Sequence, residues 1–207
     1  WKVKPIIVTS HLIGGLATLT LLWLILLRIG YIRISQSVGL SSRFRIASIV
    51  GLLIVIVQIV LGGWTSSNYA ALACPDFPTC QTQWWPDMDW KEGFVLWRGI
   101  GQDYEFGVLD STARTAIHMA HRIGALVTFV YLGIMTLGVI LGNSSKTLKV
   151  ISGIVGTLLV IQVLLGISNI IFALPLVVAT VHNGVGALLL LSMVTLVYAA
   201  YQDSAKS

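Results

Sequence analysis

Several long stretches of this sequence contain no aspartate, glutamate, lysine or arginine. Three of them lie between Lys4 and Arg28, between Arg122 and Lys146, and between Lys149 and Asp203. A membrane-spanning helix needs about 20 largely apolar residues, so the two shorter stretches hold one span each and the longest holds two. Only 10% of the 207 residues are charged, whereas soluble domains carry charge on about 25% of positions. The sequence therefore predicts an all-α polytopic membrane protein and excludes an ordinary water-soluble enzyme.

Five transmembrane helices are predicted in total. They cover roughly residues 5–27, 46–63, 111–141, 148–172 and 177–201. Pro175 separates the last two, because proline cannot continue the helical hydrogen-bond ladder. Asp110 and Ser111 are candidate N-caps of the third helix. The first residue is Trp1 rather than Met and no signal peptide is visible, so we expect the chain to be part of a longer protein.

The basic residues predict the orientation in the membrane. They gather in the first and third connections and in the tail, as Arg28, Arg33, Arg43, Arg45, Lys146, Lys149 and Lys206. The positive-inside rule places these segments in the cytoplasm. The long segment at about residues 64–110, with seven of the eight acidic residues, then lies on the outer side. The net charge of +5 forms no basic face for nucleic acid.

The outer segment is rich in tryptophan. It contains five of the seven tryptophans: Trp64, Trp84, Trp85, Trp90 and Trp97. Indole rings favour the headgroup region of a bilayer, so we expect this segment to lie against the outer membrane surface.

Both cysteines, Cys74 and Cys80, lie in the same segment. Outside a bacterial membrane, two cysteines this close are usually joined, so a structural disulfide is the first interpretation. A redox-active pair and a transient metal site are the alternatives.

All four histidines fall within predicted spans: His11, His118, His121 and His182. Ionisable groups in a span are costly and usually functional. For any one of them, a simple hydrogen bond to a neighbouring helix is an equally good interpretation. At 1.5 Å per residue, however, His11, His121 and His182 all lie roughly 8–15 Å below the outer surface. Three parallel helices thus place a histidine at similar depth.

Short repeats surround these histidines. The segments that they begin are His-Leu-Ile-Gly-Gly-Leu at 11, His-Arg-Ile-Gly-Ala-Leu at 121 and His-Asn-Gly-Val-Gly-Ala-Leu at 182. The helices before the last two carry Gln58-Ile-Val-Leu-Gly62 and Gln162-Val-Leu-Leu-Gly166. The sequence therefore predicts repeated helix pairs. The glycines would admit a broad, flat group, or they serve close helix packing.

A heme held by two imidazoles fits this pattern. Heme iron takes axial nitrogen ligands from opposite faces, and the macrocycle needs an apolar slot between helices. His121 and His182 are the predicted pair. Zinc is a weaker interpretation, because the histidine spacing matches no zinc motif and the cysteines lie in the loop.

Candidate partners for the heme propionates lie near the outer ends of the helices. Arg122 is the first, ahead of Arg114 and Arg98, although an arginine at this depth also commonly snorkels. His118 lies three residues before His121 on nearly the same helix face. It is a candidate to hydrogen-bond a group next to the heme ligand or to bind a heme propionate.

Several strings resemble the heme A synthase family, most closely its bacterial branch. They are LGGWTSSNYAALACPDFPTC at 61–80 with Trp-Trp-Pro at 84–86, IHMAHR at 117–122 and TVHN at 180–183. The resemblance covers nearly the whole chain. It implies an eight-helix protein built from two four-helix halves, in a bacterial inner membrane. Its loop cysteine pair matches Cys74 and Cys80.

The resemblance also implies an activity. The family oxidises the C8 methyl of heme O to a formyl group by successive hydroxylations and loss of water, which gives heme A for terminal oxidases. Heme b in the C-terminal half is then the cofactor, and its ligands match His121 and His182. His11 matches a ligand of the substrate heme O. Heme O synthase is the implied donor, and homo-oligomerisation is left open.

On this basis, residues 1–45 form the last helix of the N-terminal half and a cytoplasmic linker. Residues 46–207 form the four-helix heme-binding half, with the outer loop at about 64–110. The substrate site is then incomplete in this chain alone, because the partner of His11 belongs to helices outside it.

Two other functions remain as alternatives. A b-type cytochrome that only relays electrons would use the same histidine pair, but it would not need His11 at matching depth. A transporter would explain repeated helix pairs. No Asp or Glu lies inside any predicted span, which leaves coupling ions few ligands.

Overall fold

The computed structural model of the chain describes residues 4–30, 42–99 and 103–202. Its helices are α1 (Pro5–Arg28), α2 (Ser42–Ser67), α3 (Trp90–Gly93), α4 (Ser111–Leu141), α5 (Lys146–Ile171) and α6 (Leu176–Tyr201). Within the described ranges, five of them are long and apolar enough to cross a membrane. The prediction of an all-α, five-span membrane protein is confirmed.

The predicted boundaries hold best for α4 and least well for α2. Helix α2 begins at Ser42 and ends at Ser67, so it is longer at both ends than the predicted 46–63. Arg43 and Arg45 therefore lie in its first turn rather than in the preceding connection. The predicted residues Trp1, Arg33 and Lys206 lie outside the described residues.

Local chemistry explains where α4 begins and where α5 gives way to α6. The Asp110 carboxylate accepts a hydrogen bond of 2.8 Å from the Ala113 N–H, which makes Asp110 the predicted N-cap. That bond is the main reason why the pKa of Asp110 lies below its ordinary value. Pro175 stands between α5 and α6, as predicted, and Leu174 before it adopts a left-handed φ of 61°.

Contacts divide the molecule into two compact units. One comprises the described parts of Trp1–Gly15, Val57–Ala125 and Leu164–His182. The other comprises those of Leu16–Ile56, Leu126–Val163 and Asn183–Ser207. Each long helix contributes a segment to both. The first unit, which contains the whole described part of the outer loop, is called the loop unit below.

The second unit is held by close packing and by interhelical hydrogen bonds. A Cβ atom added to Gly51 of α2 would lie 2.9 Å from the Leu132 side chain of α4, so the two helices are packed tightly there. The Tyr131 hydroxyl donates to the Ala47 carbonyl oxygen at 3.0 Å. The Trp23 indole N–H of α1 donates to Thr195 Oγ1 of α6 at 2.8 Å.

The loop unit has its own small core around Trp64. This side chain lies in α2, is buried among Ala70, Leu109, Ala113 and Ile117, and donates its indole N–H to the Gly93 carbonyl oxygen at 2.9 Å. Trp64 was predicted to begin the outer loop, but α2 continues past it to Ser67. The contact of the loop with the membrane surface stays a prediction. Trp84 and Trp85 are by contrast 74% and 65% exposed.

Candidate functional site

His121 of α4 lies against α2. A Cβ atom on Gly62 would come within 3.2 Å of His121 Cε1, so the ring rests on bare backbone. Gln58, one turn earlier on α2, places its Nε2 atom 3.1 Å from His121 Nδ1 and donates to the His121 carbonyl oxygen at 3.0 Å. The imidazole is thus fixed by a glycine at one edge and by an amide at one ring nitrogen.

His182 of α6 repeats the same relation with α5. A Cβ atom on Gly166 would lie 3.3 Å from His182 Cε1. A second glycine follows each histidine in the sequence, and in both copies it packs against a glutamine of the neighbouring helix. A Cβ atom on Gly124 would meet the Gln58 side chain, and one on Gly186 would meet that of Gln162. The sequence repeat therefore corresponds to a structural repeat of histidine on glycine.

The two repeated histidines, His121 and His182, both belong to the loop unit. They come from different helices, α4 and α6. Within residues 4–30, 42–99 and 103–202, no three His, Cys, Asp or Glu side chains gather as ligands for a bare metal ion. Two imidazoles between apolar helices form a donor set that suits heme iron.

His118 is placed differently from His121. It is buried, and its Nδ1 atom accepts a hydrogen bond of 3.2 Å from the Cys74 backbone N–H. An accepting Nδ1 leaves the ring proton on Nε2. Of the two histidines on this part of α4, His118 contacts the disulfide loop and His121 contacts α2.

Arg122 also contacts the disulfide loop. Its guanidinium donates to the carbonyl oxygens of Thr79 at 2.7 Å, Cys74 at 3.1 Å and Asp76 at 2.6 Å. Its Nε atom is buried and has no hydrogen-bond partner among the described residues. Because it binds three carbonyl oxygens of the loop, Arg122 fastens the loop to α4. These contacts are called the Arg122 clamp below. The contact of Arg122 with a heme propionate stays a prediction.

Cys74 and Cys80 form a disulfide, as the first interpretation of their spacing expected. Inside the closed loop, the Asp76 carboxylate accepts hydrogen bonds from the Thr79 hydroxyl and from the backbone N–H groups of Gln81 and Thr82. The Thr79 bond is the largest cause of a pKa of Asp76 below its ordinary value. Sequence analysis missed Asp76, although aspartate commonly organises turns in this way.

The other two candidate arginines bind nearby protein groups. Arg98 forms an ion pair with Glu92 next to α3. Arg114 donates from Nε to the Asp110 carbonyl oxygen at 3.4 Å, at the start of α4. A propionate role for either residue also stays a prediction.

His11 is exposed on α1. Helix α1 meets α2 through neighbouring residues: a Cβ atom on Gly63 would lie 3.0 Å from the Leu12 side chain and 3.3 Å from that of Thr9. Gly14 and Gly15, one turn after His11, have open space where a side chain would be. His11 thus lies next to a part of α1 that has no bulky side chains of its own and no neighbouring atoms over it.

Fold and site together define a multi-pass helical membrane protein with a pair of imidazoles between its helices and a disulfide-closed loop clamped above one of them. The family model of the cytochrome oxidase assembly proteins matches residues 1–194, and the chain belongs to this family. Heme A synthase of Shewanella oneidensis is 43% identical over 206 residues, which is 100% of this chain. The chain spans 62% of the length of that relative.

Proposed function

We propose that the protein containing this chain is a heme A synthase, which oxidises the C8 methyl of heme O to a formyl group. The heme A that it makes would serve terminal oxidases. The main support is the 43% identity to a heme A synthase along the whole chain. The repeated packing of His121 on Gly62 and His182 on Gly166 supplies two imidazoles in the loop unit, as a heme protein needs.

The cofactor of this half would be heme b, which the imidazole nitrogens of His121 and His182 would hold. When bound, heme b supplies one-electron redox chemistry to the site. The protein residues hold the rings in place: Gly62 and Gly166 let each imidazole lie close to a helix backbone. Apolar helices exclude water, and the Arg122 clamp keeps the loop over the outer end of α4.

The substrate is heme O, and His11 is its proposed ligand. The exposed ring and the open strip at Gly14 and Gly15 leave room for a flat macrocycle beside α1. In this proposal the chain contributes one wall of the substrate pocket. Heme O synthase is the proposed donor of the substrate.

We place the protein in a bacterial inner membrane with residues 64–110 on the periplasmic side. Arg28, Arg43, Arg45 and Lys146 lie at the opposite helix ends from the loop, in agreement with the positive-inside rule. A disulfide in the loop suits an oxidising compartment.

Absorption spectra of the purified full-length protein, oxidised and reduced, test the heme site. We expect a b-type reduced spectrum in the wild type and its loss in His121→Ala and in His182→Ala. Tyr131→Phe is the matched control, because it removes one hydrogen bond between α2 and α4 without touching either ring. A folded wild type without heme would refute the proposal.

Turnover of heme O separates a heme A synthase from a b-type cytochrome that only relays electrons. We expect His11→Ala to keep the b-type spectrum while its conversion of heme O to heme A, measured by chromatography of extracted hemes, falls sharply. A wild type that binds heme b but converts no heme O under reducing, aerobic conditions would favour the electron relay.

A further inference from the structure

We infer that Gln58 is a positioning residue for the heme b ligand His121. Its side-chain amide hydrogen-bonds Nδ1 of the ring, which leaves Nε2 to face the iron. The inference rests on the proposed function. It begins from a contact between two polar side chains on apolar, membrane-spanning helices: Gln58 Nε2 lies 3.1 Å from His121 Nδ1. A glutamine inside a span is costly unless it has such a partner.

The geometry around Gln58 is built to accommodate its amide. Its Nε2 atom also donates to the His121 carbonyl oxygen at 3.0 Å, so one side chain grips both the ring and the backbone of the same residue. A Cβ atom on Gly124 would collide with Gln58 Oε1, so a side chain at this position would displace the amide. Gly62 thus makes room for the His121 ring, and Gly124 makes room for the Gln58 side chain.

Gln58 Oε1 is buried and has no hydrogen-bond partner in the described part of the chain. A buried unsatisfied acceptor typically costs about 1–3 kcal/mol. The missing hydrogen-bond partner of Gln58 Oε1 is explained if the heme-loaded protein supplies one.

Coordination chemistry supplies that partner. With Nδ1 accepting from the amide, the neutral ring carries its proton on Nε2, which then cannot bind iron. Iron at Nε2 moves the proton to Nδ1, which becomes a donor. A half-turn of the Gln58 amide then brings Oε1 to Nδ1–H, at the expense of the bond to the His121 carbonyl oxygen. Glutamine can bind either tautomer of the ring, because its amide offers both a donor and an acceptor.

The test compares two substitutions with a control from the same helix pair. Gln58→Leu removes the polar group, Gln58→Glu can accept from Nδ1–H, and Tyr131→Phe removes a different α2–α4 hydrogen bond. Each full-length apoprotein is titrated with hemin, and the midpoint potential of the bound heme is measured. These readouts report on the ligand itself and need no turnover.

Loss of an outer-shell partner of a metal ligand typically weakens binding about 10–100-fold, and we expect a loss of that size in Gln58→Leu. Gln58→Glu should bind hemin nearly as well as the wild type but with a lower midpoint potential, because an accepting carboxylate makes the imidazole a stronger donor to ferric iron. Tyr131→Phe should match the wild type in both.

Wild-type affinity and potential in Gln58→Leu would overturn the inference while leaving the proposed function intact. If Gln58→Leu does not fold, the potential of Gln58→Glu decides: an unchanged value overturns the inference. A folded wild type that takes up no hemin refutes the heme site itself, which is a different and recognisable result.

Discussion

The backbone N–H of Cys74 donates a hydrogen bond of 3.2 Å to Nδ1 of His118, which ties the disulfide loop to the helix that carries His121. Arg122 strengthens the same connection by donating to the carbonyl oxygens of Cys74 and Asp76. The residues on either side of the proposed iron ligand therefore bind the loop. Substitutions in the loop should therefore alter heme binding, and substitutions of His118 should alter the stability of the loop.

Replacing His118 should separate a structural role from an iron-ligand role. We expect His118→Ala to lower the stability by about 1–3 kcal/mol, because it leaves the buried Cys74 N–H without its acceptor. The b-type spectrum should persist, in contrast to His121→Ala. Thermal unfolding in detergent and a reduced absorption spectrum are the two measurements. A loss of heme equal to that of His121→Ala would make His118 a ligand instead.

Opening the disulfide should loosen the Arg122 clamp. For a loop of this length, the chain-entropy model gives about 2 kcal/mol of stabilisation. We expect the Cys74→Ser, Cys80→Ser double substitution to lower the unfolding temperature and to make the loop sensitive to protease. Limited proteolysis compared with Arg122→Gln, which removes the clamp but keeps the disulfide, separates the two contributions. Equal protease resistance in all three proteins would contradict the clamp.

The glycines beneath the histidines offer a matched pair of substitutions. Gly62→Leu should displace the His121 ring and abolish the b-type spectrum, because even a Cβ atom there comes within 3.2 Å of Cε1. Gly133→Leu in α4 is the control, since a Cβ atom at Gly133 meets nothing within 4 Å. Spectra of both proteins at equal helicity check this. Heme retained in Gly62→Leu would show that the ring does not depend on the close approach.

Acid should weaken the disulfide loop through Asp76. Hydrogen bonds from Thr79, Thr82 and Gln81 hold its pKa below the ordinary value, so the native loop favours the carboxylate. The stabilisation is complete above the unfolded pKa of about 3.9 and is lost as the pH falls through the lower native pKa. The difference in unfolding temperature between wild type and Asp76→Asn should therefore be constant near neutral pH and shrink below about pH 4. A difference that stays constant into strong acid would contradict this role.

The five spans, the histidines and the family motifs are local properties of the sequence. Helices in a bilayer must be long and apolar, so the charge-free stretches marked α1, α4, α5 and α6 directly. The ends of α2 were less visible: Trp64 was assigned to the outer loop, but α2 continues past it to Ser67. The Trp64 indole is buried and donates to the Gly93 carbonyl oxygen.

The amino-acid sequence by itself determined the class of protein, the number of spans and the repeated segments that carry the histidines and glycines. Only the tertiary structure decided what each polar group contacts. His118 and Arg122 lie within three residues of His121, yet they bind the loop, while His121 meets a glutamine 63 positions away. Such contacts depend on how helices and loop pack together, and residue spacing along one helix carries no information about the partner on another.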